Sequence, residues 1–170
     1  RTKAIIAVNL FGHPSYLEEL SEIAKENNLY LIEDNSQSPL AECNSQLAGS
    51  IGDIGIFSLN YHKHIHTGEG GICVSNNENL ALKLKLIRNH GENVIDDLNI
   101  KDLTNLFCFN YRLTEIAAAI GLIQLKNIDD HVILRENIGR KLTEGILGMA
   151  GLKPPMVRTN ARHVYYIWAL

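Results

Sequence analysis

Lys63 stands five residues after Ser58, in a polar loop between two apolar runs that spans Asp53 to Ser75. An amine held between buried strands can do covalent chemistry, because burial favours the neutral form and only the neutral amine attacks a carbonyl. The bland alternative is a lysine that snorkels out of an exposed hairpin, and this stretch alone favours it. His62, His64 and His66 alternate around the lysine. Imidazoles so spaced could share one side of an extended segment, but no pattern of nearby carboxylates that would orient them as ligands accompanies them. A polar loop without a metal is the expectation. Gly68-Glu69-Gly70-Gly71 lacks both the GxxxxGK[ST] and the GxGxxG spacing, so it reads as a turn and not as a phosphate loop.

The elements around this loop read as follows. Lys3 to Val8 is a β-branched strand, and Ser15 with Glu18 forms a capping box that opens a helix to about Asn27. Leu29 to Ile32 is the next strand and ends on Glu33-Asp34, which suits a parallel strand–helix–strand crossover. Asp34 then lies at the carboxyl end of a parallel strand, where open α/β sheets bind ligands. Ser36 to Gly52 reads as an irregular loop. Ile54 to Phe57 and Ile72 to Val74 read as short, largely buried strands, with Cys73 in the core. Asn76 or Asn77 caps a helix striped by Leu80, Leu84 and Ile87, with Gly91 as its C′ residue. Glu92 to Leu106 is a connecting segment with no assignment. Thr114 caps an alanine-rich helix to about Ile128, and a second helix runs from about Asp130 to Gly145 or beyond. Gly148, Gly151, Pro154 and Pro155 mark a boundary, and Val164 to Leu170 reads as a last strand. Together these give an α/β fold, a mostly parallel sheet flanked by helices.

The 170 residues, 45% hydrophobic and 21% charged with a formal net charge of −3, suit one ordinary globular domain. Nothing in that charge favours nucleic acid or an anionic membrane, and no apolar run approaches the ~20 residues that span a bilayer. Three scattered cysteines (Cys43, Cys73, Cys108) without a CxxC pair argue for reduced thiols and a cytoplasmic protein.

Several separated segments, in order, resemble one known family. They are Glu33-Asp34-Asn35-Ser36-Gln37, Ser58 with Lys63, and Thr67-Gly68-Glu69-Gly70-Gly71. Arg88-Asn89-His90-Gly91, Phe109-Asn110-Tyr111-Arg112-Leu113-Thr114 and the run from Ala117 to Leu125 follow. The set is similar to the DegT/DnrJ/EryC1/StrS sugar aminotransferases, within the aspartate-aminotransferase fold of pyridoxal-phosphate enzymes. The resemblance implies that Lys63 carries the pyridoxal phosphate covalently and later moves the reaction's proton. It implies that Asp34 pairs with the pyridine nitrogen, Gln37 contacts the ring oxygen and Ser58 the phosphate. Asn110 would reach the phosphate of the neighbouring subunit in a homodimer with shared sites, with Arg112 lining that interface. The implied reaction moves an amino group from glutamate or glutamine to a keto group of a nucleotide-linked sugar. A sugar 3-dehydratase of the same family is the first rival, but that branch places histidine where Lys63 stands. A non-catalytic remnant is the second. Leu59 stands where phenylalanine is usual, Asn35 and Ser36 where small residues are usual, and Cys108 where glycine is frequent. The last two departures are expected to alter pocket shape. Residues 1–151 are expected to be the central and C-terminal part of the large domain and 152–170 the start of a small one, truncated at both ends.

Overall fold

The structure is a computed structural model, and it describes residues 1–92 and 107–170. Apart from Glu92, the expected connection to Leu106 lies outside the described residues. Four strands form the main sheet in the order β1–β2–β5–β6: β1 (Ala4–Val8), β2 (Tyr30–Asp34), β5 (Ile54–Ser58) and β6 (Gly71–Val74). The first two pairings, β1 with β2 and β2 with β5, are parallel, and β6 closes the sheet antiparallel to β5. Between β2 and β5 a small hairpin, β3 (Glu42–Cys43) and β4 (Gln46–Leu47), occupies the stretch read as an irregular loop. The helices are α1 (Leu17–Glu26), α2 (Glu78–Arg88), α3 (Glu115–Lys126) and α4 (Ile128–Ile146).

Strand alternation sorts the sheet residues into two faces. Ala7, Leu31 and Glu33 are buried beneath α1, whose Leu17 and Ala24 point into the same core. Asp34 belongs to the opposite face, opposite Val8 and Ile56 in the strand register. Neighbouring residues of one dipeptide therefore serve two compartments. Glu33 is fully buried, and its carboxylate accepts N–H groups from Gly49 (2.6 Å), Ile51 (2.8 Å) and Gly52 (2.6 Å). This charge-assisted clamp draws the end of the hairpin under β2 and starts β5 in register. Gly55 must be glycine there, because a Cβ would collide with the Gly49 carbonyl oxygen.

Several expectations need correction. Ser15 does not cap α1: its N–H and hydroxyl both donate to Asn9 Oδ1 (2.8 and 2.9 Å), and Tyr16 takes the N-cap position without a side-chain bond. All four residues of β6 are exposed, Cys73 included, because an edge strand needs a covering layer as well as apolar residues to be buried. Val164 to Leu170 is not a strand. Only β7 (Ala161–Arg162) pairs, antiparallel with β3, and Tyr165 at φ 47° breaks the extended run. Gly91 is C″ and not C′: α2 ends in a Schellman arrangement with His90 left-handed (φ 55°) and Gly91 N–H donating to the Leu86 carbonyl (2.8 Å). Asn77 and Thr114 do cap α2 and α3, each side-chain oxygen accepting N–H groups of the first turn.

After β7 the chain crosses the molecule as a strap. Val164 N–H donates to the Gly12 carbonyl (2.9 Å) and Ile167 N–H to that of Phe11 (3.2 Å). Gly12, at φ 100°, has no room for a Cβ, which would meet the backbone nitrogens of Tyr165 and Tyr166 at 2.8 and 2.7 Å. Arg162 fixes the strap's start by pairing with Glu42 (3.3 Å) and Glu136 (2.7 Å).

The two carboxylates of the Glu33–Asp34 pair should separate cleanly in a urea-unfolding comparison. Glu33→Gln removes the charge and sets an NH2 against N–H donors, and stability should fall by about 3 kcal/mol. Asp34→Asn keeps the Oδ1 acceptor and should change stability by less than about 0.5 kcal/mol. Equal midpoints for parent and Glu33→Gln chains would remove the clamp from this account.

Candidate active site

Parallel strands present their carboxyl ends together, so β2 delivers Asp34 and β5 delivers Ser58 to one edge of the sheet. Asp34 is half-buried, and Oδ1 accepts the Ser36 N–H (3.1 Å) in a local turn. Gln37 lies three residues on, where Oε1 accepts the Phe11 N–H at 2.7 Å. That bond settles the amide's orientation and leaves Nε2 as a donor. Phe11 holds an unusual left-handed conformation (φ 59°) to present this N–H. Asn35, expected to shape the pocket, faces inward and is fully buried. It accepts from Asn9 Nδ2 (2.9 Å) and donates to the Ala48 carbonyl (2.9 Å), so the Asn9–Asn35 pair ties the β1 and β2 ends together.

The lysine loop is rigid at its base. Thr67 N–H donates to the Leu59 carbonyl, and Leu59 N–H donates to that of Gly70, each at 2.9 Å. Ser58 Oγ accepts the Asn60 N–H at 3.2 Å, which leaves the hydroxyl proton as a donor. Ser58 and Lys63 line one apolar cavity of ≈ 220 Å³ with Leu59, His64, Ile65 and Leu125. Asp34, Gln37 and Asn110 lie outside that cavity. A larger, open polar groove of ≈ 820 Å³ between α1 and the β3–β4 hairpin contains none of the candidate residues.

The three histidines of the loop take different roles. His64 is buried and donates from Nε2 to the Val164 carbonyl (3.1 Å), while its buried Nδ1 has no partner among the described residues. His62 Nδ1 is 2.9 Å from the Tyr166 hydroxyl, and His66 Nδ1 accepts the Gly68 N–H at 3.4 Å. Among the described residues no cluster of three His, Cys, Asp or Glu side chains is arranged to hold a metal ion. Tyr166 also places its ring over Lys63, with Nζ 4.6 Å from the centroid. Sequence reasoning missed this tyrosine. The signal was an aromatic pair two residues after a histidine, in a run otherwise read as a strand.

Asn110 is positioned separately. Phe109 and Tyr111 N–H groups donate to the Ile87 and Arg88 carbonyls (2.8 and 2.9 Å), and His90 N–H donates to the Phe109 carbonyl (3.1 Å). This zips the segment to the end of α2 and leaves Asn110 exposed, its Oδ1 accepting from Arg112 Nε at 3.0 Å. No hydrogen bond joins Asn110 to Asp34, Gln37, Ser58 or Lys63 among the described residues.

Burial lowers the His64 pKa to about 4, and burial beside His13 lowers that of His163 to about 4. Both rings anchor the strap. His163 Nδ1 accepts the Tyr165 N–H (3.0 Å), and its ring stacks on that of Tyr165 at 4.0 Å. Folded histidine resists the proton that the unfolded chain takes up near pH 6.5. Their stabilisation is therefore complete above that pH and declines as pH falls from about 6.5 toward 4. Urea unfolding should show a loss of about 2 kcal/mol from His64 alone between pH 7.5 and 5. His64→Leu should flatten that slope, and an unchanged slope would place the proton uptake elsewhere.

The chain matches the DegT/DnrJ/EryC1/StrS aminotransferase family over residues 1–170. It is 37% identical over 174 residues to a GDP-perosamine synthase of Caulobacter vibrioides, covering 100% of this chain and 45% of that protein. It is 41% identical over 167 residues to a UDP-4-amino-4,6-dideoxy-N-acetyl-beta-L-altrosamine transaminase of Campylobacter jejuni, covering 96% and 44%. Among solved structures it superposes on a Brucella abortus DegT/DnrJ/EryC1/StrS aminotransferase with TM-score 0.86 at 28% identity, covering 98% of this chain and 43% of that one. An E. coli GDP-4-keto-6-deoxy-D-mannose-3-dehydratase gives TM-score 0.85 at 28% identity, covering 98% and 46%. The chain thus spans about half the length of the relatives that it matches.

Proposed function

From membership of the DegT/DnrJ/EryC1/StrS aminotransferase family, to which this chain belongs, we propose a pyridoxal-phosphate aminotransferase acting on a nucleotide-linked keto sugar, with glutamate or glutamine as donor. Lys63 carries the reading. It lines an apolar cavity together with Ser58 at the strand end, and no carboxylate lies within ion-pair distance of it among the described residues. The similarity to a GDP-perosamine synthase and to a UDP-4-amino-4,6-dideoxy-N-acetyl-beta-L-altrosamine transaminase supports the substrate class.

The donor set fits the cofactor. Asp34 spends one oxygen on Ser36 and keeps the other for a protonated pyridine nitrogen. Gln37 keeps Nε2 as a donor for the ring oxygen, and Ser58 keeps its hydroxyl proton for the phosphate. The group would supply an electron sink for the carbanion at the amino carbon. Lys63 would hold it covalently and, once released, move a proton on and off its Nζ. Asp34 would keep the pyridine nitrogen charged through both halves of the reaction. His62 and His64 flank the lysine and do not replace it, which weighs against the 3-dehydratase reading.

Asn110 belongs to the neighbouring site of a homodimer in this proposal. Its support is exposed apolar surface: its chain neighbours Phe109 and Tyr111, and Ile116 and Ile123 on α3, are all open to solvent. Residues 1–151 form the large-domain part in this proposal and 152–170 lead into a second domain, the strap at residues 161–167 staying packed on the large domain. Left-handed Gly148 and Gly151, ahead of Pro154, support that break. No helix among the described residues is long and apolar enough to cross a membrane, and a cytoplasmic site of action accords with the scattered cysteines.

The test is capture. The full chain mixed with pyridoxal phosphate should show a visible band, and borohydride should fix the group on Lys63 as mapped by peptide mass. Lys63→Ala should lose the adduct. Asp34→Asn should keep it and slow amine transfer from glutamate by at least about 100-fold. An unmodified Lys63 would end the aminotransferase reading in favour of a non-catalytic remnant.

A further inference from the structure

Tyr166 has no part in the donor set above, yet it is among the most firmly placed residues near Lys63. Its carbonyl lies 3.4 Å from the Arg135 guanidinium, and the following N–H, that of Ile167, donates to Phe11. Its hydroxyl meets His62 Nδ1 at 2.9 Å, and its ring lies 5.9 Å from that of His64, tilted by 36°. The strap fixes one end of the side chain and the lysine loop fixes the other. Between these supports the ring face meets the Lys63 amine 4.6 Å from its centroid.

An aromatic face is an unusual companion for an amine that must be free to react. A carboxylate there would bind the ammonium through directed, charge-assisted bonds and hold it back from the next carbonyl. Open water would leave the long side chain to many rotamers. A ring face does neither. It attracts the cation weakly, by about two- to fivefold in population at a partly exposed site, and it offers the charged amine no directed acceptor. The hydroxyl's contact with His62 then fixes which way the face points.

We propose that Tyr166 is a positioning residue whose ring seats the Lys63 ammonium whenever the lysine is not covalently engaged. The seat rests on the reading of Lys63 as the reactive amine. It keeps the proton-bearing form within reach of the site, and His62 orients the ring through the tyrosine hydroxyl.

The test reads the seat in the full chain without cofactor. Reductive methylation with 13C-formaldehyde converts lysines to dimethylammonium groups that remain cationic, and Lys63→Ala identifies the Lys63 signal. A seated Lys63 should give methyl protons displaced upfield of the other lysines by the ring current. Tyr166→Leu should return the signal to the common position, and Tyr166→Phe should keep it displaced. With cofactor, Tyr166→Leu should slow amine transfer several-fold while borohydride capture at Lys63 stays complete, and Tyr166→Phe should restore the rate. An undisplaced Lys63 signal in the parent chain overturns the seat, whether or not any variant folds. Tyr166→Phe behaving as Tyr166→Leu would overturn the role of the ring. Capture at Lys63 without displacement removes the seat and leaves the aminotransferase reading intact. Displacement without capture does the reverse.

Discussion

One buried carboxylate sets the frame of this chain. Glu33 is fully enclosed, and its charge is tolerable there because three backbone N–H groups converge on it. Those donors belong to residues 49, 51 and 52, the stretch that turns from the hairpin into β5. The clamp therefore sets where β5 begins, and hence where Ser58 ends it and the lysine loop departs. Asp53 reinforces the joint: its Oδ2 accepts the Leu31 N–H and its own N–H donates to the Leu31 carbonyl, both at 2.8 Å. Because side chains alternate along β2, the neighbour of the clamp is Asp34, turned to the other face. The placement of the candidate cofactor-binding carboxylate is thus inherited from the core beneath it.

A second polar layer lies at the strand ends. Asn9 receives two bonds from Ser15 and gives one to Asn35, while the Ser38 hydroxyl donates to the Asn9 carbonyl at 2.6 Å. Asn9, Asn35 and Ser38 are buried and partnered, with Ser15 half-buried beside them, which gives the β1 and β2 turns a fixed shape without apolar filling. Phe11 and Gly12, in the same turn, carry the contacts that reach Gln37 and the strap. The edge of the sheet that presents the candidate residues is therefore hydrogen-bonded internally before any ligand arrives.

Much of this was legible in the residues themselves. The helix to about Asn27 was legible even though its expected cap was not, and Asn77 and Thr114 announced their helices because a short side-chain acceptor before an apolar period has few other uses. The lysine loop and Asp34 were found because strand ends and glycine turns are local signals. Misreadings arose where a distant partner decided the outcome. Ser15 had the spacing of a capping box, but Asn9 took both of its donors. Cys73 sits among apolar neighbours and is exposed, since burial at an edge strand depends on what packs over it. Val164 to Leu170 has strand composition, yet instead of pairing with a strand it bonds through its backbone to Phe11, Gly12 and His64, about a hundred positions away or more, and to Arg135 and His163. Tyr166 escaped notice for the same reason: its significance is a contact, and contacts across that distance leave no spacing to read.

That distance also dictates an order of events during synthesis. The parallel core of β1, β2 and β5, and the Glu33 clamp within it, can form once residue 58 has emerged. His64 and Lys63 meet their partners only when Val164 and Tyr166 arrive, about a hundred residues later. At ribosomal rates of 5–20 residues per second that lag is roughly 5–20 s. Through that interval the nascent chain carries a formed strand core around a lysine loop that still lacks its contacts with the strap. Within residues 1–170, the surroundings of Lys63 are completed long after the sheet that carries them.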